Sequence, residues 1–302
     1  MNEAEVVIIQ VSYVVLASGI GLFAYTYFGY PAALWLLGKV IRKPIPDDIS
    51  GNDWPLVSVS VPAYNEEDQV EDLIKSLLAL DYPRDRLEIL IISDSSSDRT
   101  DEIVRSYEDQ GIGLLRLEGR GGKNRAENTA AAHLAGEIIV NTDASIRIAT
   151  DALKPLIAVF QDERIGCASG RDVSVGPDEE VGNVGESGYV GYEMGIRELE
   201  TQISGIVGAS GCFYAIRADL HRLPLPESLS RDFSAALHAR EHGFRPVSVS
   251  RSVCYVPRTA SLKKEYRRKV RTITRGMQTL WHKRKLMNPF RYGWFAWMLS
   301  AI

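Results

Sequence analysis

Five short polar motifs in this 302-residue chain carry residue types able to do chemistry. Pro62-Ala63-Tyr64-Asn65-Glu66 sets a flat ring beside a carboxylate, a pair suited to packing on a nucleoside and accepting its hydrogen bonds. Asp94-Ser-Ser-Ser-Asp-Arg-Thr100 begins with an acid after an apolar run, and Asp98 is the better helix cap of its two acids. Gly121-Gly122-Lys123 puts a flexible loop and one cation at a helix start, where a diphosphate can be approached. It is not a Walker A loop, because Asn124 follows the lysine and position 117 is not glycine. Asn141-Thr142-Asp143-Ala144-Ser145 offers hard oxygen donors of the kind magnesium or manganese prefers, although Asp143 would serve equally as a turn residue. Ser230-Arg231-Asp232-Phe233 opens a helix, where either Ser230 or Asp232 can cap.

The elements that must position these groups alternate. Leu56–Val61 reads as a strand, Glu67–Leu80 as a helix, Leu87–Ile92 as a strand and Asp98 onward as a helix start. Leu114–Leu117, Ala126–Ala135, Glu137–Val140, Asp151–Phe160 and Ile165–Ser169 continue the pattern. Such alternation predicts an α/β fold: a mostly parallel sheet with flanking helices, its ligands at the strand ends. Val173–Gly188 reads as a mobile loop and Tyr189–Ile203 as a helix. Gly205–Ile216 is β-like, with Gly208–Gly211 either a tight turn or a close backbone approach to ligand. Arg231–Glu241 reads as a helix, and Val247–Val249 and Val253–Val256 as the last strands.

In this order the motifs resemble the family 2 glycosyltransferases, the GT-A group that includes cellulose, chitin and hyaluronan synthases. The resemblance runs from about Leu56 to Gly276. It implies that Ala63, Tyr64 and Glu66 hold the nucleotide, that Asp94 accepts a hydrogen bond from uracil, and that Lys123, helped by Arg120, meets the diphosphate. Asp143 and Ser145 occupy the family's Asp-x-Asp position, which implies a bound Mg2+ or Mn2+; a serine is a weaker ligand than the usual second acid. Asp232 matches the general base of a Thr-Glu-Asp triplet, with Arg231 replacing the glutamate and bearing on acceptor geometry. Arg271 matches the arginine of the Gln-x-x-Arg-Trp motif of processive members and is suited to binding diphosphate. Arg268 and Thr272 replace the glutamine and tryptophan, which favours single or limited transfer over polymer synthesis.

The implied activity is inverting transfer of a sugar from a nucleotide donor, a UDP-sugar first, to a saccharide or polyprenyl-linked acceptor. A processive polysaccharide synthase, a nucleotidyltransferase and a non-catalytic scaffold are the alternatives. The glycine-rich activating loop of a nucleotidyltransferase is not visible, and the retained acids argue against a scaffold. No nucleic-acid partner is expected.

Residues 6–40 contain one charged residue, Lys39, and exceed the ~20 apolar residues that span a bilayer. With Lys39, Arg42 and Lys43 following and no Lys or Arg preceding, the positive-inside rule puts the N-terminus outside and the rest of the chain at the cytoplasmic face of the cell membrane. Pro44–Pro55 is a linker, residues 56–257 one catalytic domain, residues 258–289 a basic amphipathic segment on the membrane, and residues 290–302 the start of a further membrane segment. Arg258–Arg291 holds twelve Lys/Arg against the single acid Glu265, in a chain of net charge −4. That strip faces anionic lipid or an anionic substrate. Cys167, Cys212 and Cys254 make no zinc pattern and read as reduced core thiols.

Overall fold

The computed structural model describes residues 3–49, 53–176, 184–223, 225–257 and 262–301. Eight strands form one sheet in the order β3-β2-β1-β4-β7-β6-β8-β5. They are β1 Val57–Ala63, β2 Leu87–Ser93, β3 Ile112–Arg116, β4 Ile138–Thr142, β5 Arg147–Ile148, β6 Ile165–Val175, β7 Phe213–Arg217 and β8 Arg245–Pro257. The helices are α1 Glu3–Ala24, α2 Tyr30–Val40, α3 Val70–Leu78, α4 Thr100–Arg105, α5 Lys123–Ala130 and α6 Leu153–Ala158. Then come α7 Val184–Ile203, α8 Ala218–His221, α9 Arg231–Glu241, α10 Leu262–His282, α11 Pro289–Tyr292 and α12 Trp294–Ser300.

The sheet is mixed but mostly parallel, with β1, β2, β3, β4, β6 and β8 running one way and β7 and β5 the other. β1 pairs in parallel with β2 and β4, and β2 with β3. β7 then runs antiparallel between β4 and β6, and β5 antiparallel to β8. Both faces are covered. Val57, Val59 and Val61 pack with Leu73, Ile74 and Leu77 of α3 and Leu153 and Leu156 of α6. On the other face Ile139, Tyr214 and Ile216 pack with Ala235 and Ala239 of α9. Ser58 and Ser60 are buried too, so β1 alternates in chemistry but not in exposure, as a central strand covered on both sides must.

Several boundaries differ from the sequence reading for local reasons. The helix expected from Glu67 begins at Val70, because Glu67 N donates to Asp98 Oδ2 and Glu67 Oε2 accepts from Arg99 N; those residues are tied across to the next loop. The two last strands are one, β8, whose pairing with β6 shifts register between Ser169 and Arg171 and so absorbs Ser250–Ser252. β6 runs to Val175 and α7 starts at Val184, so the expected mobile loop is partly regular; residues 177–183 lie outside the described set. Of the β-like Gly205–Ile216, only Phe213 onward is strand.

Among the described residues one stretch, Ile9–Val40, is long and apolar enough to cross a membrane. It is one helical rod with a π-helical turn at Tyr25–Gly29. Pro31 explains the turn: it has no N–H, and its ring crowds the carbonyl of Tyr27. That carbonyl is recovered by Tyr192 Oη, which donates to it at 2.9 Å. Below the turn the rod stops being free. Tyr30 and Leu34 are buried with Ile203 of α7, Leu237 of α9 and Phe295, Met298 and Leu299 of α12. α10 keeps an exposed apolar stripe of Tyr266, Val270, Ile273, Met277 and Trp281, spaced at three and four residues. The three cysteines are unpaired.

Candidate active site

The site gathers where β1, β2 and β4 end. Ala63 is buried at the end of β1, and its carbonyl accepts Asp94 N at 2.9 Å. The residues just past each strand turn sharply: Asn65 (φ 53°) and Ser95 (φ 61°) both adopt left-handed conformations. Side-chain bonds hold them there, Asn65 Oδ1 accepting Ser97 N at 2.8 Å and Ser95 Oγ donating to Leu117 O at 2.7 Å. Sequence reading gave neither a role, since only the backbone angle marks them.

Asp94 is buried and both its carboxylate oxygens are used: Oδ1 accepts Gly121 N at 2.8 Å and Oδ2 accepts Gly122 N at 2.6 Å. It anchors the glycine loop. Gly122, at φ 85°, suits a conformation that only glycine adopts without cost. Lys123 follows as the first residue of α5. Asp98, expected as a helix cap, lies one residue before the N-cap of α4, Arg99, and accepts Thr100 N at 3.0 Å from there. Across the loop, the Arg120 guanidinium lies 3.8 Å over the Tyr64 ring.

Lys123 Nζ reaches Asp143 Oδ1 at 2.5 Å and Gly211 O at 3.3 Å. Burial draws the lysine's pKa down, but the Asp143 and Glu127 carboxylates outweigh it and hold it above the ordinary value. Glu66, part-buried, has its carboxyl pKa raised by burial first and then by Asp143 and Asp98. Glu66 and Asp143, both part-buried and near enough for one to raise the other's pKa, are oxygen donors of the kind a hard divalent cation takes. Asp143 and Glu66 are the acids available to it. Ser145 lies two residues on, part-buried in the turn toward β5.

Asp232 completes the cleft from α9. Its Oδ1 accepts both the Ser230 hydroxyl and Phe233 N, the latter at 2.8 Å. Ser230 therefore spends its hydroxyl on the acid and makes no side-chain cap of the helix. Oδ2 faces Gly211, where a Cβ would lie 2.6 Å from it. Gly211 is thus the meeting point: its carbonyl accepts the lysine, and its missing side chain leaves space beside the carboxylate.

Two expected residues stand elsewhere. Arg271 is exposed on α10 and makes no hydrogen bond or ion pair with these groups among the described residues. Arg231, expected to bear on acceptor geometry, is 5% exposed, its Nε 2.7 Å from Oε2 of the fully buried Glu127. At the far end of α9, His238, Glu241 and His242 bring three donor atoms within 4.8 Å of one another. Lys283 Nζ, 2.5 Å from Glu241 Oε2, already supplies the positive charge there.

Comparison with known proteins bears on the fold and the family. The chain is 30% identical over 176 residues to the beta-monoglucosyldiacylglycerol synthase of Nostoc sp., a match spanning 56% of this chain and 37% of that protein. Among solved structures, the mannosyltransferase PcManGT of Pyrobaculum calidifontis, in complex with GDP-Man and Mn2+, superposes with TM-score 0.74 at 24% identity over 94% of this chain and 79% of that one. Residues 1–349 of Staphylococcus aureus TarS with UDP-GlcNAc superpose with TM-score 0.52 at 21% identity, over 68% and 59%. These likenesses establish the GT-A fold. The model of glycosyl transferase family 2 matches residues 58–222, more than half of the chain, from the second residue of β1 through α8, and to that family the chain belongs.

Proposed function

We propose that this chain transfers a sugar, with inversion, from a nucleotide donor to a lipid or lipid-linked acceptor at the cytoplasmic membrane face. The observation that carries the reading is the convergence on Gly211: Lys123 on its carbonyl, Asp143 on the lysine, and Asp232 Oδ2 over its Cα. Tyr64 and Arg120 flank the nucleoside, and the Gly121–Lys123 loop lies along the diphosphate. Asp94 sets that loop through its amides, and meets the base when a donor draws the loop away. Asp143, with Glu66 and Ser145, would hold Mg2+ or Mn2+, and a cation there would supply positive charge against the diphosphate leaving group. Lys123 then moves from Asp143 to the phosphate oxygens. Asp232 takes the proton of the acceptor hydroxyl as that oxygen attacks the anomeric carbon. Ser230 and Phe233 N fix Oδ1, leaving Oδ2 as the accepting atom.

Three facts support a lipid-side acceptor. The Nostoc relative is named for a glucosylated diacylglycerol, although this chain covers only 37% of it. The apolar rod Ile9–Val40 is fixed to α9 through Tyr30, Leu34 and Leu237. α10 presents an apolar stripe beside its basic residues, so α10 lies on the bilayer and α12 continues the anchor beside α2. Thr272 in place of tryptophan favours limited transfer over a growing polymer, away from the cellulose, chitin and hyaluronan synthases. A UDP donor is the first choice and a GDP donor the second. The test is a nucleotide-release screen across UDP- and GDP-sugars, with and without Mn2+, in vesicles containing diacylglycerol, polyprenyl phosphate or neither, with products identified by mass. One donor-dependent glycolipid is expected. Release of pyrophosphate instead would make the chain a nucleotidyltransferase.

A further inference from the structure

Arg231 immediately precedes Asp232, yet its side chain turns inward. Its Nε pairs with Glu127 Oε2 at 2.7 Å, its Nη1 donates to Asn128 Oδ1, and its Nη2 donates to His221 Nε2 at 3.2 Å. The same His221 Nε2 lies 3.1 Å from the Oδ1 position of the Asn141 amide. These partners belong to the elements that carry the reacting groups. Glu127 is one turn along α5 from Lys123. Asn141 is on β4, two residues before Asp143. His221 ends α8. Arg231 itself begins α9, the helix of Asp232.

The network is charged, dry and specific in its protonation. Glu127 is wholly buried and Arg231 nearly so, so neither can lose the other without leaving an uncompensated interior charge. Burial raises the Glu127 carboxyl's pKa while Lys123 and Arg231 oppose it. A guanidinium only donates, so His221 Nε2 accepts from Arg231, the ring is neutral, and the Asn141 amide, whose Nδ2 is otherwise unpaired, turns its NH2 to that nitrogen. Burial, Arg231 and Arg222 hold the His221 pKa down at about 3, in keeping with that. The planar fork of an arginine can address three acceptors at once, which a lysine cannot.

We propose that Arg231 is a positioning residue: through Glu127, Asn128 and His221 it locks the helix of the base to the helix of Lys123 and the strand of Asp143. This rests on the reading of Asp232 as base. A buried pair kept for packing alone would be replaceable by apolar side chains of similar size. A pair that sets the distance between Asp232 and Lys123 would not.

The test compares Arg231→Lys, Arg231→Met and the double variant Arg231→Met/Glu127→Leu, in the full chain reconstituted in vesicles. Melting temperature, UDP affinity by calorimetry and kcat per folded molecule are read for each. Arg231→Met melts well below the parent. The double variant recovers most of the melting temperature and binds UDP within about threefold, yet its kcat stays roughly 10²-fold low, the cost expected of a misplacement near 1 Å. Arg231→Lys regains part of that kcat, because the charge is kept and the fork is lost. A double variant that recovers kcat together with stability overturns the proposal. If Asp232→Asn, measured alongside, is fully active, the base assignment itself fails; if Asp232→Asn is dead and the double variant turns over normally, only the positioning role of Arg231 fails.

Discussion

At the scale of single residues, Lys123 does two things at once. It pairs with Asp143 at 2.5 Å, and it stands at the mouth of the glycine loop, the place proposed for the diphosphate. A lysine in that position competes with a divalent cation for the same carboxylate. Lys123→Met is therefore expected to tighten Mn2+ binding in the absence of nucleotide while weakening UDP binding tenfold or more, since roughly 1.5–3 kcal/mol attends a hydrogen bond to a charged group. Calorimetry of each ligand alone reads both effects; a variant that loses affinity for both would place the lysine elsewhere. The acids 94, 143 and 232 and the lysine were legible because each follows a predicted strand or opens a helix in a recognisable order. Glu127 and His221 were not. Each is a buried polar residue whose partner lies far away in sequence, and nothing local marks a side chain that is stabilised only by tertiary contact. The one available signal was a glutamate inside Ala126-Glu127-Asn128, on a helix face otherwise lined with alanines.

At the scale of elements, the segment between α7 and β7 brings Gly211 against the first turn of α9. A Cβ at Gly211 would lie 2.6 Å from Asp232 Oδ2, and one of the two must shift. Gly211→Ala should cost about 10²-fold in kcat, because a displaced base is out of line with the acceptor. Circular dichroism and the melting temperature should change little, since the added methyl points into the cleft. A second element contact is set by pH. Glu200 of α7 accepts the Tyr30 hydroxyl inside the protein, and its carboxyl is pushed up to about 7, chiefly by burial, from an ordinary value of 4.5. The folded state then holds this proton more tightly than the unfolded chain does. Stability falls as pH rises from the ordinary carboxylate range toward 7, by about 1.4 kcal/mol per pH unit while the two states differ by a proton. Glu200→Gln removes that slope, so its melting temperature should gain on the parent's between pH 5 and pH 8. A parallel pair of pH profiles would mean that Glu200 is not the group responsible. The strand and helix order was legible from hydrophobic runs and punctuation. The antiparallel insertion of β7 was not, because strand direction depends on which edge a segment reaches, and no run of side chains encodes that. The exact start of α3 was hidden for a similar reason, being fixed by the Glu67 N–H bond to Asp98 and the Arg99 N–H bond to Glu67 across to another loop.

At the scale of the whole molecule, the rod of residues 9–40, the stripe on α10 and the exposed Phe290 and Trp294 leave apolar surface for which a bilayer is the natural solvent. The basic residues of α10 add attraction to anionic headgroups, about 1 kcal/mol for each one near the surface. Met277→Asp together with Trp281→Asp should weaken flotation with anionic vesicles most clearly in a chain lacking residues 1–29, where the rod no longer dominates binding. Unchanged flotation at low salt would remove α10 from the membrane contact. The amphipathic spacing of α10 was readable directly, because a period near 3.6 is local information. The packing of α2 on α9 and α12 was not, since Tyr30 and Leu34 look like any other apolar residues of a spanning segment.

The central claim is that Asp232 Oδ2, beside Gly211, accepts the proton from the attacking hydroxyl. Asp232→Asn keeps the shape and the donor site but cannot take that proton. With the active donor and acceptor in vesicles, this variant is expected to bind UDP as the parent does and to lose glycolipid formation by about 10²–10⁴-fold, the range for removal of a general base. Transfer at the parental rate with unaltered UDP binding would contradict the account.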